Sequence, residues 1–117
     1  MVDDELLLLK LTSSTLLEQG YRVLTAESAE QALDILKNKS VNVLLTDVVM
    51  NGMNGYQLAA IVKKKYPDIK IQLISGFSDD LNGGEVDAYL QKNLLYKPFT
   101  SQALLQSIVR LNSRALL

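Results

Sequence analysis

The run VNVLLT, Val41 to Thr46, is apolar at nearly every position and stands between two stretches of helical period. A strand with one wet face alternates apolar and polar residues. A continuously apolar strand is therefore covered on both faces, as in a parallel sheet held between two layers of helices. Parallel strands cannot be joined by tight hairpins, so the chain between them must cross over, and helices make those crossovers. This stretch thus predicts an α/β architecture, and the rest of the chain can be searched for its other parts.

Glu5 to Gln19 carries Leu6, Leu9, Leu16 and Leu17 at helical spacing, with Gly20 as a stop. The β-branched and aromatic run Tyr21 to Ala26 reads as a strand. In SAEQALDILKN, Ser28 and Gln31 occupy capping-box positions ahead of a stripe formed by Ala29, Ala32, Leu33 and Leu36. After VNVLLT the loop VMNGMNG leads into YQLAAIVKKKY, which turns Leu58, Ile61 and Val62 inward, leaves three lysines in water and ends at Pro67. IKIQLIS is the next strand. A fourth helix falls within Leu81 to Gln91, against the preference of Gly83 and Gly84. LLY is a short last strand, and Thr100 caps SQALLQSIVRLN, with Leu104, Leu105, Ile108 and Leu111 inward. If Met1 and Val2 are what is present of a first strand, the order is βαβαβαβαβα, expected as one domain over residues 1–117. Right-handed crossovers then give a doubly wound parallel sheet with helices on both faces.

Composition narrows the chemistry. Twelve basic and thirteen acidic residues leave a net charge of -1, so the chain as a whole offers no electrostatic footprint for nucleic acid or an anionic membrane. With neither cysteine nor histidine, disulfides, thiolate nucleophiles, imidazole ligands and His-based triads are all excluded. Lys10 interrupts LLLL well short of the roughly 20 apolar residues that span a bilayer, and acids rather than lysines precede the run, unlike a signal peptide. A soluble cytoplasmic protein is expected.

In doubly wound sheets ligands bind beyond the carboxyl ends of the strands, at the switch in strand order. Asp3 and Asp4 follow the first strand, Asp47 ends the third, Ser75 the fourth and Lys97 the fifth. Carboxylates brought together raise one another's pKa unless a cation neutralises them. An all-oxygen set suits Mg²⁺, which takes one or two carboxylates and keeps positions for water and a phosphate oxygen. Lysine and serine suit the oxygens of a phosphoryl group, and Asp47 is the candidate nucleophile. The residues alone point to a Mg²⁺-dependent phosphoryl acceptor or phosphotransfer site.

VDDE, LLTDVVMNGMNG, LISG and YKPF, in this order and with GYRVLTAESAEQALDIL between the first two, resemble the receiver domain of two-component response regulators, the CheY-like fold. The resemblance covers essentially the whole chain. It implies strand order 2-1-3-4-5 and a phosphoryl group taken from a partner phosphohistidine onto Asp47. It also implies Mg²⁺ held by Asp4, Asp47 and the Val49 carbonyl, with Asp3 acting through water. Ser75 and Lys97 would contact the phosphoryl group, and the Lys97–Pro98 bond would be cis. The implied partner is a sensor histidine kinase or a histidine phosphotransfer protein. No direct nucleic-acid or membrane contact is implied, and the domain would not be an enzyme beyond its own phosphorylation and dephosphorylation.

Four departures from the family pattern stand out. Asn51 replaces the common proline four residues after the phosphoacceptor, loosening that loop. Gly76 replaces a common alanine. Leu95 replaces the aromatic that rotates inward on phosphorylation, and Tyr96 points to the other face of its strand. The first strand is nearly absent, which would leave buried donors and acceptors unpaired at a cost of about 1 to 3 kcal/mol each. Three accounts of it compete: a trimmed start, a gap filled by another segment or by strand exchange in a homodimer, and a stub that still pairs. Two other functions remain in view, a degenerate receiver that only binds a partner and a Mg²⁺-dependent phosphohydrolase. The hydrolase lacks a second acid near Asp47, since Val48 and Val49 follow it. Taken singly, Asp3 and Asp4 could be acids at a helix N-terminus, Lys63 to Lys65 a solvated face, and Met50, Met53, Phe77 and Phe99 packing.

Overall fold

The computed structural model describes residues 1–76 and 94–113. In chain order they form α1 (Leu6–Glu18), α2 (Ala29–Asn38), β1 (Val43–Asp47), α3 (Gly55–Lys65), β2 (Lys70–Ser75), β3 (Leu95–Tyr96) and α4 (Ser101–Ser113). The helix expected within Leu81 to Gln91, and Phe77, lie outside the described residues. β1 pairs with β2 in parallel from Val43–Lys70 to Asp47–Ile74, and β2 pairs with β3 in parallel at Ile74–Leu95 and Ser75–Tyr96.

The first strand is a stub that pairs on both sides. Val2 bridges Ala26 and Thr46, both in parallel. Toward β1, Val2 N–H donates to the Leu45 carbonyl (2.8 Å) and its own carbonyl accepts from Asp47 N–H (2.9 Å). Toward the other flank, Ala26 N–H donates to the Met1 carbonyl (2.9 Å), Asp3 N–H to the Ala26 carbonyl (3.1 Å), and the Met1 amine to the Leu24 carbonyl (2.7 Å). The spatial order is thus the 24–26 segment, the stub, β1, β2 and β3, which is 2-1-3-4-5 in the numbering of the expected strands. The strand expected over Tyr21 to Ala26 is corrected to a single bridge at Ala26. A ladder needs a partner residue for residue, and the stub reaches only the last part of this segment.

Side chains alternate across the sheet and split the core into two layers. Val2, Leu44 and Leu73 pack with α2 and α3 against Ala32, Leu58 and Val62. Met1, Leu45 and Ile74 pack with α1 and α4 against Leu9, Leu16, Leu104 and Ile108. The unbroken apolar character of β1 is explained by this double cover. Met50 is buried, and Met53 and Phe99 are partly buried against the core, so all three are packing residues.

The helices end where their chemistry dictates. Ser28 Oγ accepts from Gln31 N–H, while the Gln31 side chain accepts from Glu27 N–H. Asn54 and Gln57 form a full reciprocal capping box at α3, and Thr100 Oγ1 accepts from Ala103 N–H at α4. The stripe expected for α1 needs correction. Its buried face is Leu9, Thr12, Ser13 and Leu16, and Leu6 and Leu17 are exposed. Leucine on both faces hides the period, and the buried Ser13 hydroxyl is satisfied by the Leu9 carbonyl one turn back. Ile61, Leu33 and Leu105 are only half-buried beside fully buried helix neighbours.

Candidate functional site

The carboxyl ends of the strands converge as the sequence implies. Ligand atoms of Asp3, Asp4 and Asp47 all lie within 4.8 Å of one another. Lys97 Nζ stands among them, 3.3 Å from Asp47 Oδ2 and 3.5 Å from Asp3 Oδ2. It also reaches Glu5 Oε1 at 3.2 Å. The Lys97–Pro98 bond is cis, as the resemblance implied.

Each residue is placed by its element. Asp47 is the last residue of β1, with its N–H on the Val2 carbonyl, and the next N–H, of Val48, on the Ile74 carbonyl. The loop beyond then doubles back: Gly52 takes φ +79°, a conformation open to glycine, and Gly55 N–H donates to the Val48 carbonyl at 2.8 Å. At Gly55 a Cβ would run into the Asp47 carbonyl, so α3 can begin this close to Asp47 only with glycine there. Lys97 follows β3, and its N–H is fixed on the Ser75 carbonyl (2.8 Å). Asp3 extends the stub, and its Oδ1 accepts from Glu5 N–H (2.9 Å), so it also steadies the start of α1.

Electrostatics separate the charged groups. Asp3 is fully buried, and burial pushes its carboxyl above the usual range; the Glu5 N–H and the Lys97 ammonium pull it back only in part. Burial also acts to lower the pKa of Lys97. The attraction of Asp47 and Asp3, with hydrogen bonds to Glu5 and Asp47, outweighs that and holds the ammonium above the ordinary lysine value. Asp3 Oδ2 accepts no hydrogen bond among the described residues, although it lies inside the protein. Three clustered carboxylates facing one ammonium leave a local excess of negative charge. This all-oxygen set, with a buried oxygen whose described partner is the Lys97 ammonium 3.5 Å away, fits a hard divalent cation.

Two expected members stand differently. Ser75 is buried at the end of β2, and its hydroxyl donates to the Gly76 carbonyl (2.8 Å). Val49 lies in the turn after β1 with its side chain exposed. Two contacts were not foreseen. Glu5 belongs to the acidic run VDDE, and that run was the only signal for its grip on Lys97. The main-chain N–H of Asn51 donates to Asp4 Oδ2 at 3.1 Å, a contact no residue type announces.

Comparison with known proteins agrees with this geometry. Residues 1–109 match the response regulator receiver domain family. The chain is 31% identical over 110 residues to the response regulator protein FleR of Pseudomonas aeruginosa, covering 94% of this chain and 23% of that protein. It is 33% identical over 92 residues to the response regulator receiver protein CpdR of Brucella abortus, covering 79% and 77% respectively. Among solved structures, a receiver domain protein from Clostridium thermocellum superposes with a TM-score of 0.82 at 27% identity, covering 99% of this chain and 95% of that one. The response regulator TrrA of Thermotoga maritima, solved in complex with Mg²⁺-BeF, gives 0.81 at 27% identity over 94% of each chain. The chain spans about a quarter of FleR and of the E. coli transcriptional regulatory protein GlrR (23% and 24%). With this fold, this strand order and these matches, the chain belongs to the family of response regulator receiver domains of two-component systems.

Proposed function

We propose that the 117 residues act as one receiver domain that accepts a phosphoryl group on Asp47. The observation that supports this most is Asp47 itself: a buried carboxylate at a strand end, 3.3 Å from a lysine ammonium and clustered with two further aspartates. A phosphoryl donor brings negative charge, and Lys97 is placed to meet it. Since these 117 residues hold no histidine, a phosphohistidine donor lies outside them, on a sensor histidine kinase or a phosphotransfer protein.

In the proposed step an Asp47 carboxylate oxygen attacks phosphorus, the bond from phosphorus to the histidine nitrogen breaks, and the imidazole leaves and takes up a proton. Asp3, Asp4 and Asp47 would hold Mg²⁺, with the Val49 carbonyl as a further oxygen. The ion would supply charge neutralisation for the carboxylates and the incoming phosphoryl oxygens. Lys97 orients and neutralises the transferred group. Ser75 turns its hydroxyl from the Gly76 carbonyl to a phosphoryl oxygen. TrrA, crystallised with Mg²⁺-BeF, lends support to an ion and a phosphoryl-like group in a fold of this kind.

Intact-mass measurement after incubation with acetyl phosphate and Mg²⁺ tests the proposal. Wild type gains one phosphoryl group, and Asp47→Asn gains none. Equal labelling of the two, or none of the wild type, would rule out Asp47 as acceptor.

A further inference from the structure

Asp3 and Asp4 are adjacent, yet they are held in different ways. Asp3 is fixed by its own ladder bond to Ala26 and by the Glu5 N–H on its carboxylate. Asp4 stands one residue beyond the stub and is partly exposed. Among the described residues, the hydrogen-bond donor that reaches its carboxylate is the main-chain N–H of Asn51, 3.1 Å from Oδ2. Asn51 sits in the loop between β1 and α3, in the position where the family pattern commonly has proline. Proline carries no N–H, so the contact exists here because of that departure. The exposed Asn51 side chain takes no part in it.

We propose that Asn51 is a positioning residue for the cation site: its main-chain N–H ties the Asp4 carboxylate to the β1–α3 loop and leaves Oδ1 for a divalent ion. The inference rests on the reading of this corner as a Mg²⁺ site. Donors to the carboxylates that bind a metal fix their orientation, and losing such a partner typically lowers affinity about 10- to 100-fold. Asn51 brings this support where it is most needed, since among the described residues no ladder bond holds Asp4. The same substitution that loosens the loop by giving up proline thus returns a tether.

The backbone origin of the donor gives a clean test. Asn51→Ala keeps the N–H and Asn51→Pro removes it, in a fold whose pattern accommodates proline there. Mg²⁺ titration followed by calorimetry should find wild type and Asn51→Ala within about twofold and Asn51→Pro about tenfold weaker. Equal affinity of the Pro and Ala variants would overturn the inference while leaving the Mg²⁺ reading intact; no binding by wild type would remove both. A second measurement needs neither metal nor the proline variant. In the metal-free protein the Asn51 amide proton resonance should move upfield in Asp4→Asn, while amides in the core of β2 stay put. An unmoved resonance would show that the tether does not exist in solution.

Discussion

The two flanks of β1 are built to different standards. On one side β2 runs beside it through five paired residues. On the other lies a stub joined to β1 by two backbone hydrogen bonds, both made by Val2. The candidate acceptor, Asp47, belongs to both sides, since its N–H is on the stub while its strand is laddered to β2. The main chain of the acids that accompany it is carried on the weaker side. Position of the acceptor and position of the other two carboxylates are therefore separable properties, and damage to one need not damage the other.

The largest expected effect separates stability from ion binding. Leu73→Ala, in the core of β2, should lower unfolding free energy by about 3 kcal/mol, and Val2→Ala by about 2 kcal/mol. Under conditions where both stay folded, Val2→Ala should lose more Mg²⁺ affinity than Leu73→Ala, although it is the milder lesion. Denaturant unfolding with parallel Mg²⁺ titrations checks this, and a loss of affinity that simply follows stability would erase the distinction between the flanks.

A smaller effect should appear in EDTA. Because burial raises the Asp3 pKa, the native state binds protons more tightly there than the unfolded chain does. The contribution of Asp3 to stability is then fully present below the ordinary value of 3.8 and is lost as pH rises through the raised pKa. Asp3→Asn removes that fall, so at neutral pH the metal-free variant should melt above wild type, and saturating Mg²⁺ should narrow or reverse the gap. A melting curve for Asp3→Asn below wild type in EDTA would contradict the sign.

The smallest effect concerns Glu5. Its ion pair with Lys97 is made by a side chain 65% exposed, a setting in which such pairs contribute little. Glu5→Gln should change stability by less than about 0.5 kcal/mol, with Lys97 remaining on Asp47 and Asp3. A larger loss would mean that the exposed acid, rather than the buried ones, holds the lysine.

Much of the fold was legible because burial leaves a pattern. The doubly covered β1, the caps at Ser28, Asn54 and Thr100, and the lysine face of α3 all follow from local chemistry. The convergence of Asp3, Asp4, Asp47 and Lys97 followed from topology, because strand ends in a parallel sheet share one edge. Two things escaped for opposite reasons. The Tyr21 to Ala26 run has every residue preference of a strand, but pairing depends on a neighbour elsewhere in the chain. The α1 face was obscured by excess, since leucines on both sides of the helix leave Thr12 and Ser13 to mark the inner one. The Asn51 contact was beyond residue reading altogether, because it is made by a main-chain group that every residue but proline has.

Met1 and Val2 enter opposite core layers, so a one-position slide of the stub that brought Asp4 to where Asp3 now sits would carry Asp3 into the apolar site of Val2 and Val2 into that of Met1. It would also move Glu5 to where Asp4 sits. The stub's own side chains thus resist that alignment, because a carboxylate would be buried among apolar groups. The register is also held by α1, which follows directly and is locked to the α4 layer by Leu9 and Leu16. Fidelity at the acidic corner is in this sense set from both sides of the acids: an apolar residue before them and a helix after them decide which carboxylate faces Asp47.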